Sequence, residues 1–188
     1  MVKRMEAHGQ IFDRESELHG DRATGDDPNV IGGFGWVKGV RCLFVWGRGR
    51  ALSEAGARKV ERLARLAEHL GAPILLLGAA PDWITISDRD DVRARTSVLE
   101  ALLAVRAPIV AVWSETEPLA SGDALLFDAF IAASEPEGGH PAFTRWDPAG
   151  SVDSLREIVA SALRADRSGG EDVASARRER VLRAAKGA

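Results

Sequence analysis

The chain has 188 residues, a formal net charge of −3 at pH 7 and one cysteine, Cys42. This length suits a single compact domain, and the acidic balance disfavours nonspecific nucleic-acid binding. No apolar run reaches the roughly 18–20 residues that cross a bilayer, and the first residues lack a secretory signal. We therefore expect a cytoplasmic location, without a nucleic-acid or membrane partner.

Residues 1–35 are polar, rich in glycine and without a sustained hydrophobic period, so they are interpreted as an N-terminal arm or loop. The glycines of the tract 31–36 favour a flexible junction before the core, and a second ligand loop is the alternative. From residue 36 to 165 the pattern alternates between short apolar runs and amphipathic stretches. It predicts strands at 40–46, 73–78 and 108–113, helices at 53–70, 88–106 and 121–133, an edge strand at 141–146 and a closing helix at 151–163.

The predicted strands before residue 120 are wholly apolar, which is typical of a parallel sheet covered on both faces. Right-handed crossovers then give a Rossmann-like three-layer α/β sandwich with a mainly parallel sheet. Residues 166–188 begin as a linker and continue as a basic helix. This C-terminal segment is interpreted as a solvated tail or, alternatively, as a docking helix for a partner protein or an acidic surface.

The loop after the first apolar strand is the main candidate for a binding site. Gly47, Arg48, Gly49, Arg50 and Ser53 stand between that strand and the following helix. Glycine permits close approach of a ligand, and a helix start offers free N–H groups to an anion. Arginine adds a bidentate fork. The pattern predicts a site for a nucleotide or another phosphorylated small molecule, and a plain tight turn is the alternative.

Two further loops follow the next two strands. Asp82 and Trp83 follow the second, where the indole can stack on a ring or close the edge of the core. Ser114, Glu115 and Thr116 follow the third, with Glu115 as a candidate general base and a solvated loop as the alternative. No metal site is predicted, because the four histidines are scattered and none has a second ligand at helical spacing.

Residues 45–50, Val-Trp-Gly-Arg-Gly-Arg, and residues 69–77, His-Leu-Gly-Ala-Pro-Ile-Leu-Leu-Leu, carry a family resemblance. The whole segment 45–77, which these two tracts open and close, resembles the start of the cofactor-binding domain of electron-transfer flavoprotein α subunits and of the central domain of thiamine-diphosphate enzymes. The resemblance implies a Rossmann-like fold that binds a dinucleotide, FAD or NAD, near Gly47 to Arg50. A phosphosugar-isomerase domain is a second partial likeness.

Two functions therefore stay open at this point. The first is a domain that binds a nucleotide or phosphorylated ligand, with or without catalysis. The second is a non-catalytic adaptor or complex subunit that keeps the fold and acts through protein contacts at its termini. A homodimer is compatible with either function.

Overall fold

A computed structural model describes residues 10–19, 26–47, 53–78, 89–113, 125–136, 139–147, 149–165 and 173–187. Its strands are β1 (Arg14–Glu17), β2 (Val30–Val37), β3 (Val40–Gly47), β4 (Ile74–Leu77), β5 (Ile109–Trp113), β6 (Ala129–Ala132) and β7 (Phe143–Arg145). Its helices are α1 (Glu54–Leu70), α2 (Arg89–Ala104), α3 (Val152–Arg164) and α4 (Val173–Gly187). No helix in these ranges is long and apolar enough to span a membrane.

The seven strands form one sheet in sequential order, from β1 to β7. The pairs β1–β2 and β2–β3 are antiparallel, and every pair from β3 to β7 is parallel. The β2–β3 hairpin turns through Lys38 and Gly39, both with positive φ, which is the backbone of a type I′ turn. A layered α/β fold with a mainly parallel sheet is thereby confirmed.

Side chains from alternate positions of the strands build one core on each face of the sheet. Leu43 and Val45 of β3 point to the face covered by α1 and α2, and Phe44 between them points to the face covered by α3. Strands β4 and β5 are completely buried. This burial on both faces explains why their sequences are continuous apolar runs.

The structure also corrects two predictions of local structure. Strands β1 and most of β2 lie within the segment interpreted as an arm, and residues 129–132 form β6 rather than the end of a helix. Short apolar runs such as 129–132 fit a buried strand as well as a buried helix, so periodicity alone does not separate them. The glycines of β2 hide its alternation, and they permit close packing. A Cβ at Gly33 would lie 2.1 Å from the Ser16 carbonyl oxygen.

Helix α4 docks on the core through two arginines, so the interpretation of this segment as a solvated tail is wrong. The Arg177 guanidinium is fully buried and donates to the carboxylate of Asp128. It also donates to the carbonyls of Leu102, Val105 and Ala107 at 2.9, 2.8 and 3.1 Å. Arg180 donates to the other Asp128 oxygen at 2.8 Å. The two arginines thus neutralise the partly buried Asp128 carboxylate and the carbonyl end of α2.

Arg177→Met should lower the free energy of unfolding by about 3–5 kcal/mol, because it leaves the carbonyls of Leu102, Val105 and Ala107 without this donor and removes one of the two arginines that neutralise Asp128. Urea denaturation measures this loss. Arg183→Met is the matched control on the same helix, since Arg183 is exposed and pairs with the exposed Glu179. Its expected cost is at most about 0.5 kcal/mol. Equal losses in the two variants would contradict the role given to Arg177.

Candidate functional site: the carboxyl edge of β3, β4 and β5

Strands β3, β4 and β5 are parallel neighbours, and their carboxyl ends lie side by side. Trp46 pairs with Leu77, and Leu77 pairs with Val112. The three predicted loops therefore leave the sheet from one edge. Eight predicted site residues lie outside the described residues, and their binding roles stay predictions: Arg48, Gly49, Arg50, Asp82, Trp83, Ser114, Glu115 and Thr116.

The first residues of this edge pack backbone against backbone. Gly78 follows β4 with a φ of 58°, and its N–H donates to the Val112 carbonyl at 3.2 Å. A Cβ at Gly78 would lie 3.0 Å from the Gly47 carbonyl oxygen and 3.4 Å from the Trp46 indole. Glycine is favoured here by its positive φ and by this close approach. Gly47 and Gly78 therefore belong to the described frame from which the loops leave.

The start of α1 differs in charge from a phosphate site. Ser53 is the N-cap: its hydroxyl accepts from the Gly56 N–H at 3.1 Å and donates to Asp27 at 2.5 Å. Asp27 is only 5% exposed and also accepts from the Asn29 N–H at 2.8 Å. A buried carboxylate beside a helix start compensates the partial positive charge that would attract an anion. The Ser53 hydroxyl predicted to hold an anion is engaged by Asp27.

Lys59 is a buried cation that the sequence analysis missed. Its ammonium, 1% exposed, donates to the Val30 carbonyl and to Asp26, each at 2.8 Å. Lys59 stands four residues before the buried Leu63, so its helical position was a usable signal. We call Asp26, Asp27, Ser53 and Lys59 the α1 anchor, because they tie the residues before β2 to the start of α1.

The α1 anchor predicts unequal costs for removing two N-cap serines. Ser53→Ala should lower the free energy of unfolding by about 2 kcal/mol, because it removes the cap and also the hydroxyl that donates to buried Asp27. Ser151→Ala is the control: Ser151 caps α3 by accepting from the Asp153 N–H at 3.2 Å, in an exposed setting. Its expected cost is about 1 kcal/mol. Urea denaturation compares the two, and a larger loss at Ser151 would contradict this account of the anchor.

Cys42 lies within β3 and offers no nucleophile. Its thiol is buried and contacts the Gly35 carbonyl oxygen at 3.5 Å. Burial, which disfavours the thiolate, raises the pKa of Cys42 from 9.0 to about 12. The thiol is therefore protonated and unreactive in the folded protein at neutral pH.

The raised pKa of Cys42 makes stability depend on alkaline pH. Below pH 9 the thiol is protonated in both states and its contribution to stability is fully present. Between pH 9 and about 12 the unfolded thiol ionises while the folded thiol stays protonated, so stability falls as pH rises. Urea denaturation across this range should show a steeper fall for the wild type than for Cys42→Ala. Equal slopes would contradict the raised pKa.

An open groove of about 510 Å³ lies between the later turns of α1 and α2. Its lining residues are Arg65, Glu68, His69, Glu100, Ala101, Ala104 and Arg106. Glu68 accepts from the backbone N–H of Arg106 at 2.7 Å and pairs with its guanidinium at 2.9 Å. The groove is at the ends of both helices, whereas the predicted loops precede their starts. It therefore lies away from the carboxyl edge, and the sequence analysis gave no indication of it.

Within the described ranges, no group of three or more histidine, cysteine, aspartate or glutamate side chains is arranged to hold a metal ion. The described part of the carboxyl edge thus consists of backbone glycines, indole rings and the α1 anchor.

A family model described as acetyl co-enzyme A carboxylase carboxyltransferase-like matches residues 3–128, more than half of the chain. The chain belongs to this family. The acetyl-coenzyme A carboxylase carboxyl transferase subunit alpha of Methylococcus capsulatus is 36% identical over 118 residues, which are 54% of this chain and 36% of the relative. The corresponding subunit of Treponema denticola is 42% identical over 77 residues, which are 35% of this chain and 25% of the relative. The chain thus spans about a quarter to a third of the length of these relatives.

Solved structures with the same fold include further enzymes of carboxyl chemistry. A chain of a Pseudomonas malonate decarboxylase hetero-tetramer in complex with malonate matches with a TM-score of 0.62 and 15% identity, covering 94% of each chain. The transcarboxylase 12S structure matches with a TM-score of 0.64 and 17% identity, covering 85% of this chain and 39% of the other. At these identities the likeness concerns the fold.

These findings overturn the resemblance to electron-transfer flavoprotein and thiamine-diphosphate domains, and with it the prediction of a nucleotide- or phosphate-binding domain. The physical reason is visible in the sheet. Dinucleotides bind in Rossmann sheets where the strand order reverses, and this sheet runs in sequential order without a reversal. The unit of strand, glycine loop and helix at 45–77 is common to many α/β folds, so it carried too little information to separate these families.

Proposed function

We propose that the chain is a subunit of a carboxyltransferase assembly that acts on a carboxylated acyl-CoA thioester. The family match over residues 3–128 carries this proposal. The relatives are subunits named for acetyl-coenzyme A carboxylase, and the transcarboxylase 12S structure has hydrolysed methylmalonyl-coenzyme A bound. The match spans β1 to β5 and all three loops at the carboxyl edge.

The reaction requires that the bond between the α-carbon and the carboxyl group breaks. Its electron pair moves onto the α-carbon and is delocalised to the thioester oxygen, so the site must stabilise negative charge on that oxygen. Backbone N–H groups at glycine loops are suited to this task in a site that excludes water. We assign it to the loops after β3, β4 and β5, with Arg48 or Arg50 as the partner of the departing carboxylate and Glu115 as the group that transfers a proton.

The α1 anchor supports this assignment over a phosphate site. Asp27 beside the start of α1 disfavours a dianionic phosphate there, whereas an enolate oxygen is a single charge that two N–H donors can hold. In this view the anchor fixes the residue from which α1 begins, directly after the Gly47 to Ser53 loop. Function as a subunit of a complex, the alternative named from the sequence, also agrees with relatives that are themselves subunits.

A second candidate is removal of the carboxyl group without transfer. The observation that favours it is the mutual match with malonate decarboxylase chains, which covers 94–97% of this chain and 93–94% of theirs. In that reaction the carboxyl group leaves as carbon dioxide, and a proton replaces it on the α-carbon. The same carboxyl edge serves both reactions, and they differ in whether a second molecule receives the carboxyl group.

The test uses the chain purified with its accompanying subunits and supplied with carboxyl-labelled malonyl-CoA. We expect loss of label from the thioester, and Arg48→Ala or Glu115→Gln in the assembled complex should lower the rate at least tenfold. Label that leaves only when an acceptor is present supports transfer, and label released as carbon dioxide without one supports decarboxylation. Turnover no faster than a protein-free control would refute the proposal.

A further inference from the structure

Helix α4 has an exposed outer face, on which Arg178 also donates to the Leu103 carbonyl of α2 at 3.2 Å. Its inner stripe of Ala174, Arg177 and Val181 contacts the core. The outer stripe of Arg178, Leu182 and Lys186 repeats every four residues and is exposed. Leu182 is 59% exposed, the highest value for a large hydrophobic side chain in the described ranges. An apolar anchor thus stands between two cations on one helix face.

The outer face is held in a fixed orientation. Arg177 and Arg180 both bind the Asp128 carboxylate, and Asp128 also accepts from the Ile109 N–H of β5 at 2.9 Å. The helix is therefore attached to two neighbouring strands rather than extending as a free tail. A partner that binds a preformed face has less conformational entropy to overcome than one that must order a tail.

The charge of this face is opposite to that of the whole chain. Arg178, Arg183 and Lys186 are exposed cations, whereas Glu179 is the one exposed carboxylate of the helix and pairs with Arg183. The chain as a whole carries a formal charge of −3. The positive patch around Leu182 is thus a local feature, suited to an acidic surface with an apolar centre.

We infer that the outer face of α4 docks on a different polypeptide, whose surface has an apolar pocket for Leu182 and carboxylates around it for Arg183 and Lys186. The inference rests on the proposed function as a subunit, and it identifies the surface that receives the partner. A helix that inserts an apolar anchor into a groove is a common form of recognition.

The charge pattern favours a different chain over a second copy. In a twofold dimer through α4, the same cations of both copies would meet, which is repulsive. The pattern also favours a protein over a lipid surface, because one leucine supplies little apolar area for membrane insertion. A second copy and an anionic membrane are therefore the alternatives that the experiment must separate.

Photo-crosslinking within the native assembly tests the inference. Leu182→Cys is labelled with a benzophenone maleimide and irradiated in the complex purified with its accompanying subunits. Cys42 is the only native cysteine and is buried, so the label goes to the introduced thiol. Leu70→Cys is the matched control, because Leu70 is an exposed leucine on α1, 39% accessible.

We expect Leu182→Cys to crosslink to a polypeptide of different mass, and the crosslinked peptide to be rich in aspartate and glutamate. The Leu70→Cys control should give little of this product. Crosslinks only between copies of this chain, binding only to vesicles of phosphatidylserine, or no crosslink at position 182 would each overturn the inference.

Affinity for the crosslinked subunit, once purified, provides the second measurement. Leu182→Ser and Lys186→Glu should each weaken binding at least tenfold while the circular dichroism and urea denaturation stay unchanged. Leu70→Ser should bind as the wild type does. Wild-type affinity in both α4 variants would overturn the inference.

The carboxyl-release assay distinguishes failure of the inference from failure of the proposed function. An assembly that releases label while the α4 variants bind normally contradicts only the docking surface. An assembly that binds through α4 but releases no label contradicts only the proposed reaction.

Discussion

Strands β3, β4 and β5 are buried on both faces, so helices must cover both faces of the sheet. This constraint determines where the helices lie. Each strand in turn is added to the same side of the sheet, so right-handed crossovers place α1 and α2 on one face. The opposite face is then left for a helix from elsewhere in the chain. Helix α3 fills it, with Leu155 and Val159 in contact with that core. Two separate cores therefore follow from one sequential strand order.

The sequential strand order also explains why α4 has an arginine on the face that packs against the core. The chain must return from α3 to the face of α2, where the last carbonyls of α2 and the carboxylate of Asp128 concentrate negative charge. An apolar side chain there would leave the α2 carbonyls without this donor and Asp128 with one arginine fewer, so a buried guanidinium with several donors is the suitable partner. Arg177 meets this requirement, and Arg180 completes the neutralisation of Asp128. The basic composition of α4 thus serves folding on one side and leaves cations available on the other.

The sequence alone was sufficient for much of the fold, because continuous apolar runs and caps are local signals. The helix predicted at 53–70 is α1, which begins after its N-cap Ser53 and ends before Gly71, a left-handed residue with a φ of 59°. The strands β2 and β6 were missed for physical reasons. Close packing requires glycine in β2, which removes its alternation, and β6 is a short apolar run whose pairing with β5 is a tertiary fact. The role of Arg177 was equally out of reach, because its partners stand 49 to 75 residues away.

The candidate site shows where local reasoning reaches its limit. The strand at 40–46 and the helix start at Ser53 were predicted correctly from the sequence, but the buried carboxylate beside that helix start was not. The carboxylate belongs to Asp27, which stands before β2 and β3 in the sequence. It reaches the helix start only because β2 pairs with β3. A free helix start favours phosphate, whereas one compensated by a buried carboxylate favours a weaker, more diffuse negative charge. The antiparallel addition of β2 therefore changes the electrostatic surroundings of this helix start, and in the proposed carboxyltransferase these surroundings favour an enolate oxygen over a phosphate.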